Sequence, residues 1–108
     1  MPDTPKMTPI PAGALFTVTE GEYSDYRIEG VFRATADIDA DALLAEWLAA
    51  HPEQREPYEF KAGDFLAWVF RKGLFEPVAS HEWYLGDYGH ADRMAVRDAD
   101  TWEANDAV

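Results

Sequence analysis

The run Phe65-Leu66-Ala67-Trp68-Val69-Phe70, set between Asp64 and Arg71, constrains this chain more than any other feature. At about 100° per residue its side chains cover an arc of roughly 260°, far wider than the apolar stripe of a helix lying on a surface. A helix so clothed must be buried on more than one side. The rest of the chain therefore has to supply partners on two flanks. If one edge is left open, Trp68 is the residue expected to meet another chain.

Local chemistry sets the limits of that helix. Asp64 suits the N-cap, Arg71 and Lys72 suit the negative end of the dipole, and Gly73 can take the left-handed conformation that closes a helix, so Asp64 to Lys72 is predicted helical. A second amphipathic helix is predicted from Asp39 to Ala50, with Ala40, Leu43, Leu44, Trp47 and Leu48 on one side. Asp37 or Asp39 can accept from its first free amides, and Pro52 ends it by excluding helical geometry at His51.

The other flank is predicted to be a sheet. Phe16 and Val18 alternate with threonines from Leu15 to Thr19, and Tyr26, Ile28, Gly30 and Phe32 alternate with Arg27, Glu29, Val31 and Arg33. The six residues between them, Glu20 to Asp25, carry turn formers, so the two runs make an antiparallel hairpin. After Glu76-Pro77, the aromatic segment Val78 to Leu85 is expected to return to the sheet as a third strand, and Gly86 and Gly89 bracket Asp87-Tyr88 in a turn. The order is β-β-α-α-β. It describes an α+β fold: a small antiparallel sheet with two helices packed on one face.

A length of 108 residues and an apolar content of 47% fit one domain with its own core. Residues 1–13, with four prolines, are expected to be a flexible arm, 14–90 the single domain, and 91–108 an acidic, frayed, mobile tail in which Trp102 is the candidate anchor.

Twenty-one acidic residues against nine basic ones give a formal net charge of −12. Such a field repels nucleic-acid phosphates and acidic membranes and attracts a protein with a basic surface, although it also serves solubility alone. The expected partners therefore exclude direct nucleic-acid and membrane binding. With no cysteine, there is no disulfide framework, thiolate metal site or cysteine nucleophile. No apolar stretch is long enough to span a membrane and the first residues do not form a secretory signal, so a cytoplasmic location is expected.

Two clusters concentrate chemistry. The hairpin tip holds Glu22, Tyr23, Ser24, Asp25 and Tyr26. No histidine lies near Ser24 in sequence to act as its base, and a hairpin tip does not desolvate Glu22 or Asp25, so the residues suit a self-capped turn or a recognition loop better than catalysis. The second cluster runs from His81 to His90. Strand alternation places His81 and Glu82 on opposite faces, against a metal site. Its aromatics, Trp83, Tyr84 and Tyr88, are expected to form a recognition patch with Tyr23 and Tyr26 if the third strand pairs beside the hairpin, or to serve the core. No phosphate loop, nucleotide fingerprint, serine elbow or basic stripe is present, and no cofactor or metal is expected.

The segment Thr19-Glu20-Gly21-Glu22-Tyr23-Ser24-Asp25-Tyr26, continued by Ile28 and Val31-Phe32, resembles a group of small uncharacterised phage- and prophage-encoded proteins sharing a Gly-Glu-Tyr-Ser-Asp-Tyr hairpin motif. The resemblance is clearest over residues 15–33, with Trp83 to Gly89 continuing it in an actinobacterial-phage branch. It carries no catalytic residues with it. It implies an accessory protein in the cytoplasm of a host cell. The expected function is non-enzymatic protein binding through an acidic, aromatic surface, with modulation or inhibition of a host factor or defence system. The alternatives are a small-molecule or nucleotide site between the hairpin and the third strand, and a hydrolase using Glu22, Asp25 or the histidines. Unpaired sheet edges and the over-apolar helix also make a homodimer an expectation.

Overall fold

In a computed structural model of the protein, residues 7–21, 27–86, 88, 90–99 and 101–106 are described. The five-residue hairpin tip Glu22–Tyr26 lies outside them, so the expectations placed on it do too. The described chain is an α+β fold of two helices and two small antiparallel sheets.

The first sheet has the order β1-β2-β3, with β1 at Leu15–Glu20, β2 at Arg27–Ala34 and β3 at Phe75–Val78. The hairpin forms as its alternation requires: Phe16 lies opposite Phe32 and Val18 opposite Gly30, with a register shift between Val18 and Thr19. One face of the sheet thus carries Phe16, Val18, Gly30, Phe32 and Ala34, to which β3 adds Phe75 opposite Ala34. This face holds the core, which centres on Phe32 with Ala34, Ile38, Val69 and Phe75. Phe32 is fully buried, stacked on Phe16 at 5.4 Å and meeting Phe75 edge-on at 5.1 Å.

Helix α1 spans Ala40–Ala50 and helix α2 Ala62–Arg71. Asp39 caps α1, accepting from the Ala42 amide at 3.1 Å, while Asp37 accepts from the Ala12 amide at 2.9 Å. The His51 amide closes α1 on the Trp47 carbonyl, and Pro52 then opens a single tight turn to Arg55. Helix α2 begins two residues before the expected Asp64. Its N-cap is Lys61, with no side-chain cap, because the Lys61 carbonyl already accepts from the Phe65 amide. Asp64 sits inside the first turn, where its charge still meets the positive end of the dipole and its Oδ1 accepts from Asn105 Nδ2 at 3.0 Å. At the other end Gly73 adopts φ +77°, as its place after the last turn requires.

The wide apolar arc of α2 is used on two sides. Phe70 lies 5.6 Å from Phe75 on the sheet side, while Phe65 and Trp68 lie 5.9 and 5.3 Å from Trp47 of α1. Trp68 is half-buried, and the Lys72 ammonium covers its ring at 4.4 Å.

Three expectations are corrected. The third strand does not run from Val78 to Leu85. It divides at Ala79 into β3, which joins the hairpin, and β4 at Ser80–Tyr84, which pairs with β5 at Ala95–Ala99 in a separate two-stranded sheet. Pro77 has no amide to donate and confines β3 to the sheet edge, and continuing past Val78 would set the chain opposite Gly30, whereas β5 offers β4 a full ladder. The segment after residue 91 is not merely a frayed tail: it contributes β5, and Trp102 reaches the core, 5.5 Å from Phe32 and 5.5 Å from Phe70. Burial of a large aromatic surface outweighs the acidity of its neighbours. Residues 7–13 are extended but not free, since Ile10 and Ile38 exchange two backbone hydrogen bonds at 3.0 and 2.8 Å and the Gly13 amide donates to Ala34.

Candidate functional site: an amphipathic hairpin

Strands β4 and β5 pair over five residues, and no residue of either joins the core cluster. Every residue of β5 is exposed. Cross-strand pairing sets Trp83 directly opposite Val96, and both are open to solvent, at 66% and 69%. Leu85 and Met94, the next positions of the same alternation, are exposed as well, at 59% and 46%. Four apolar side chains are thus gathered at one end of a two-stranded hairpin, and the chain does not bury them.

The hairpin's charges are largely spoken for. His81 Nδ1 lies 2.8 Å from Asp98 Oδ1, and Arg97 meets Glu82 through both Nε and Nη2, at 2.6 and 2.5 Å. His81 and Glu82 therefore serve different strand partners on opposite faces. Tyr84 alternates with Trp83 and so shares the Glu82 face, where its ring sits beneath the Arg97 guanidinium, 5.2 Å from Cζ to the ring centroid. The aromatic patch expected from Trp83, Tyr84 and Tyr88 is consequently divided: Trp83 and Tyr84 point to opposite faces, and Tyr88, at φ 52°, is fully exposed beyond the strand end. Its expected union with Tyr23 and Tyr26, which lie outside the described residues, presumed that the strand bearing Trp83 pairs with the hairpin of the first sheet; Trp83 lies on β4, and the strand paired there is β3.

Leu85, Met94 and Val96 were not singled out from the sequence. Met94 and Val96 are separated by one residue, as strand alternation requires, but the pattern gains meaning only with β5 lying beside β4.

Among the described residues, no group of three or more His, Asp or Glu side chains is placed to hold a metal ion. His51 is committed to structure: its ring stacks on Trp47 at 3.9 Å and its Nδ1 lies 3.0 Å from the Trp47 carbonyl oxygen. No helix is long and apolar enough to cross a membrane among the described residues.

A second feature lies elsewhere. An apolar cleft of about 650 Å³ runs beneath the open edge of β1, walled by Phe16 and Val18, by Leu44 and Leu48 of α1, and by Phe65 of α2. It is on the opposite side of β1 from the third strand, so it is not the site between hairpin and third strand expected from the sequence.

Compared with known proteins, the chain matches no family model, no curated protein and no solved structure. Its function has to be read from geometry.

Proposed function

We propose that this chain is a non-enzymatic accessory protein of phage type that acts by binding another protein, in the host cytoplasm, and thereby modulates or inhibits a host factor or defence system. The observation that carries the reading is the Trp83–Val96 pair, flanked by Leu85 and Met94, exposed together on a hairpin outside the core. A two-stranded hairpin is marginally stable in water by itself, and an exposed apolar face on one gains stability when a partner covers it. Tryptophan and methionine at the centre of such a face are residue types enriched in protein interfaces.

The net charge of −12 supports the choice of partner. A protein whose apolar groove is rimmed by Lys and Arg would be drawn to this surface and would lose association rate as salt rises.

Capture from a host lysate at low and at high salt tests the proposal, with Trp83→Ala as the control bait. The expected result is a specific partner held by the native chain, held less at high salt and lost with Trp83→Ala. Retention of the same partner by Trp83→Ala would count against the hairpin as the binding surface. A second copy of the chain is the other candidate occupant, and sedimentation of the purified protein as a dimer through this face would replace the foreign partner with a homodimer.

A further inference from the structure

We propose that the cleft beneath β1 binds an uncharged, largely apolar small molecule that carries an oxygen acceptor such as a ketone or amide carbonyl. Its volume of about 650 Å³ falls within the range of small-molecule sites, roughly 300–1,000 Å³. Consecutive residues Phe16, Thr17, Val18 and Thr19 all line it, so it follows the open edge of β1 rather than one face of the sheet.

Gln54 sets the chemistry. It is 6% exposed and lines the cleft. Its Oε1 accepts from Trp47 Nε1 at 2.8 Å and from the Lys61 amide at 3.1 Å. Both of those groups can only donate, so the side-chain amide has one possible orientation and its oxygen is fully used. The Nε2 group keeps two N–H donors with no acceptor among the described residues. No side-chain nitrogen or oxygen among the described residues is both sealed from solvent and unbonded, so this Nε2 keeps some access to solvent, and Gln54 is one of the residues that line the cleft. The site is therefore a largely apolar trough whose wall includes Gln54, a donor of fixed orientation, beside the hydroxyls of Thr17 and Thr19.

That donor asks for an acceptor, and the remaining wall excludes charge. No Lys, Arg or His lines the cleft, so a carboxylate or phosphate would enter without a counter-cation and against a net charge of −12. An ammonium would set donor against donor at Gln54. A neutral carbonyl satisfies Gln54 while its hydrocarbon covers Leu44, Leu48 and Phe65.

Nile red, an uncharged dye with a ring carbonyl, serves as the probe, with 2-tridecanone, tridecane and tridecanoate as competitors. The expected result is dye fluorescence on binding the native protein, displaced by the ketone at concentrations about tenfold below those needed for the carboxylate or the alkane. Leu48→Trp fills the cleft and should weaken dye binding by about tenfold or more; Leu44→Trp carries the same expectation, and neither residue belongs to the core cluster. Trp83→Ala should leave dye binding unchanged, which separates this site from the hairpin. Equal displacement by ketone and carboxylate, dye binding indifferent to both cleft variants, dye binding lost only with Trp83→Ala, or exclusion of the dye by a second copy on dimerisation would each overturn the proposal.

Discussion

The indole N–H of Trp47 donates to Oε1 of Gln54 at 2.8 Å, and both side chains are buried. The same oxygen accepts from the Lys61 amide, so one glutamine joins the middle of α1 to the entry of α2 across a polar connector. Gln54→Leu keeps an apolar volume there but leaves the buried Trp47 indole N–H and the part-buried Lys61 amide without acceptors. It should lower unfolding free energy by about 2–4 kcal/mol in urea titration. A loss below about 0.5 kcal/mol for Gln54→Leu would show that the bridge does not hold the helices together.

Phe32 is the residue on which the aromatic core converges, with Phe16, Phe75 and Trp102 all within 5.5 Å of its ring centre. Phe32→Ala should cost about 3–5 kcal/mol, the range for truncating a fully buried aromatic side chain. Differential scanning calorimetry reads it directly. A melting temperature within a few degrees of the native value would mean that the rings repack around the void.

Gly30 lies on the core face of β2, where a Cβ would come within 3.0 Å of Trp102 Cβ and 3.1 Å of Phe32 Cζ. Gly30→Ala should therefore destabilise by about 1–3 kcal/mol through overpacking, although alanine is ordinarily the better strand residue. In a Trp102→Gly background, which removes the Cβ that Gly30 faces, the same change should cost less. Additivity of the two substitutions in a double-mutant cycle would contradict a direct contact between the C-terminal segment and this strand.

Two tryptophans should separate stability from binding. Trp102→Ala is expected to cost about 2–3 kcal/mol, less than a fully buried ring because Trp102 is only partly buried. Trp83→Ala is expected to cost about 1 kcal/mol or less, the scale of one cross-strand pair, while abolishing capture of the partner. A large loss of global stability with Trp83→Ala, measured by chemical denaturation, would assign the hairpin to the core rather than to recognition.

How far the fold is legible in the sequence depends on how local each decision is. Asp39 accepting from Ala42, Pro52 ending α1 and Gly73 closing α2 are choices made within four or five residues, and the hairpin of β1 and β2 follows from period-2 alternation on either side of a short connection. The wide apolar arc of α2 likewise demanded two packing surfaces, and Trp47 and Phe75 are members of them. The candidate surface was legible only in part. Trp83 stood out as an aromatic residue on a strand, but an aromatic strand residue serves a core or an interface with the same chemistry.

What the sequence by itself determined is the set of elements and the apolar faces they must bury, because propensity, capping and periodicity act over a few bonds along the chain. Tertiary structure decided which distant segment covers which face. It sent Trp102 to the space left by Gly30, 72 positions earlier, and it gave β4 to β5 instead of the hairpin, leaving Trp83 and Val96 in solvent. It also turned Gln54, one polar residue of an unremarkable connector, into the acceptor for two donors and the wall of a cleft. Those outcomes rest on competition among long-range contacts, whose free energies depend on which surfaces meet and not on the residues considered singly.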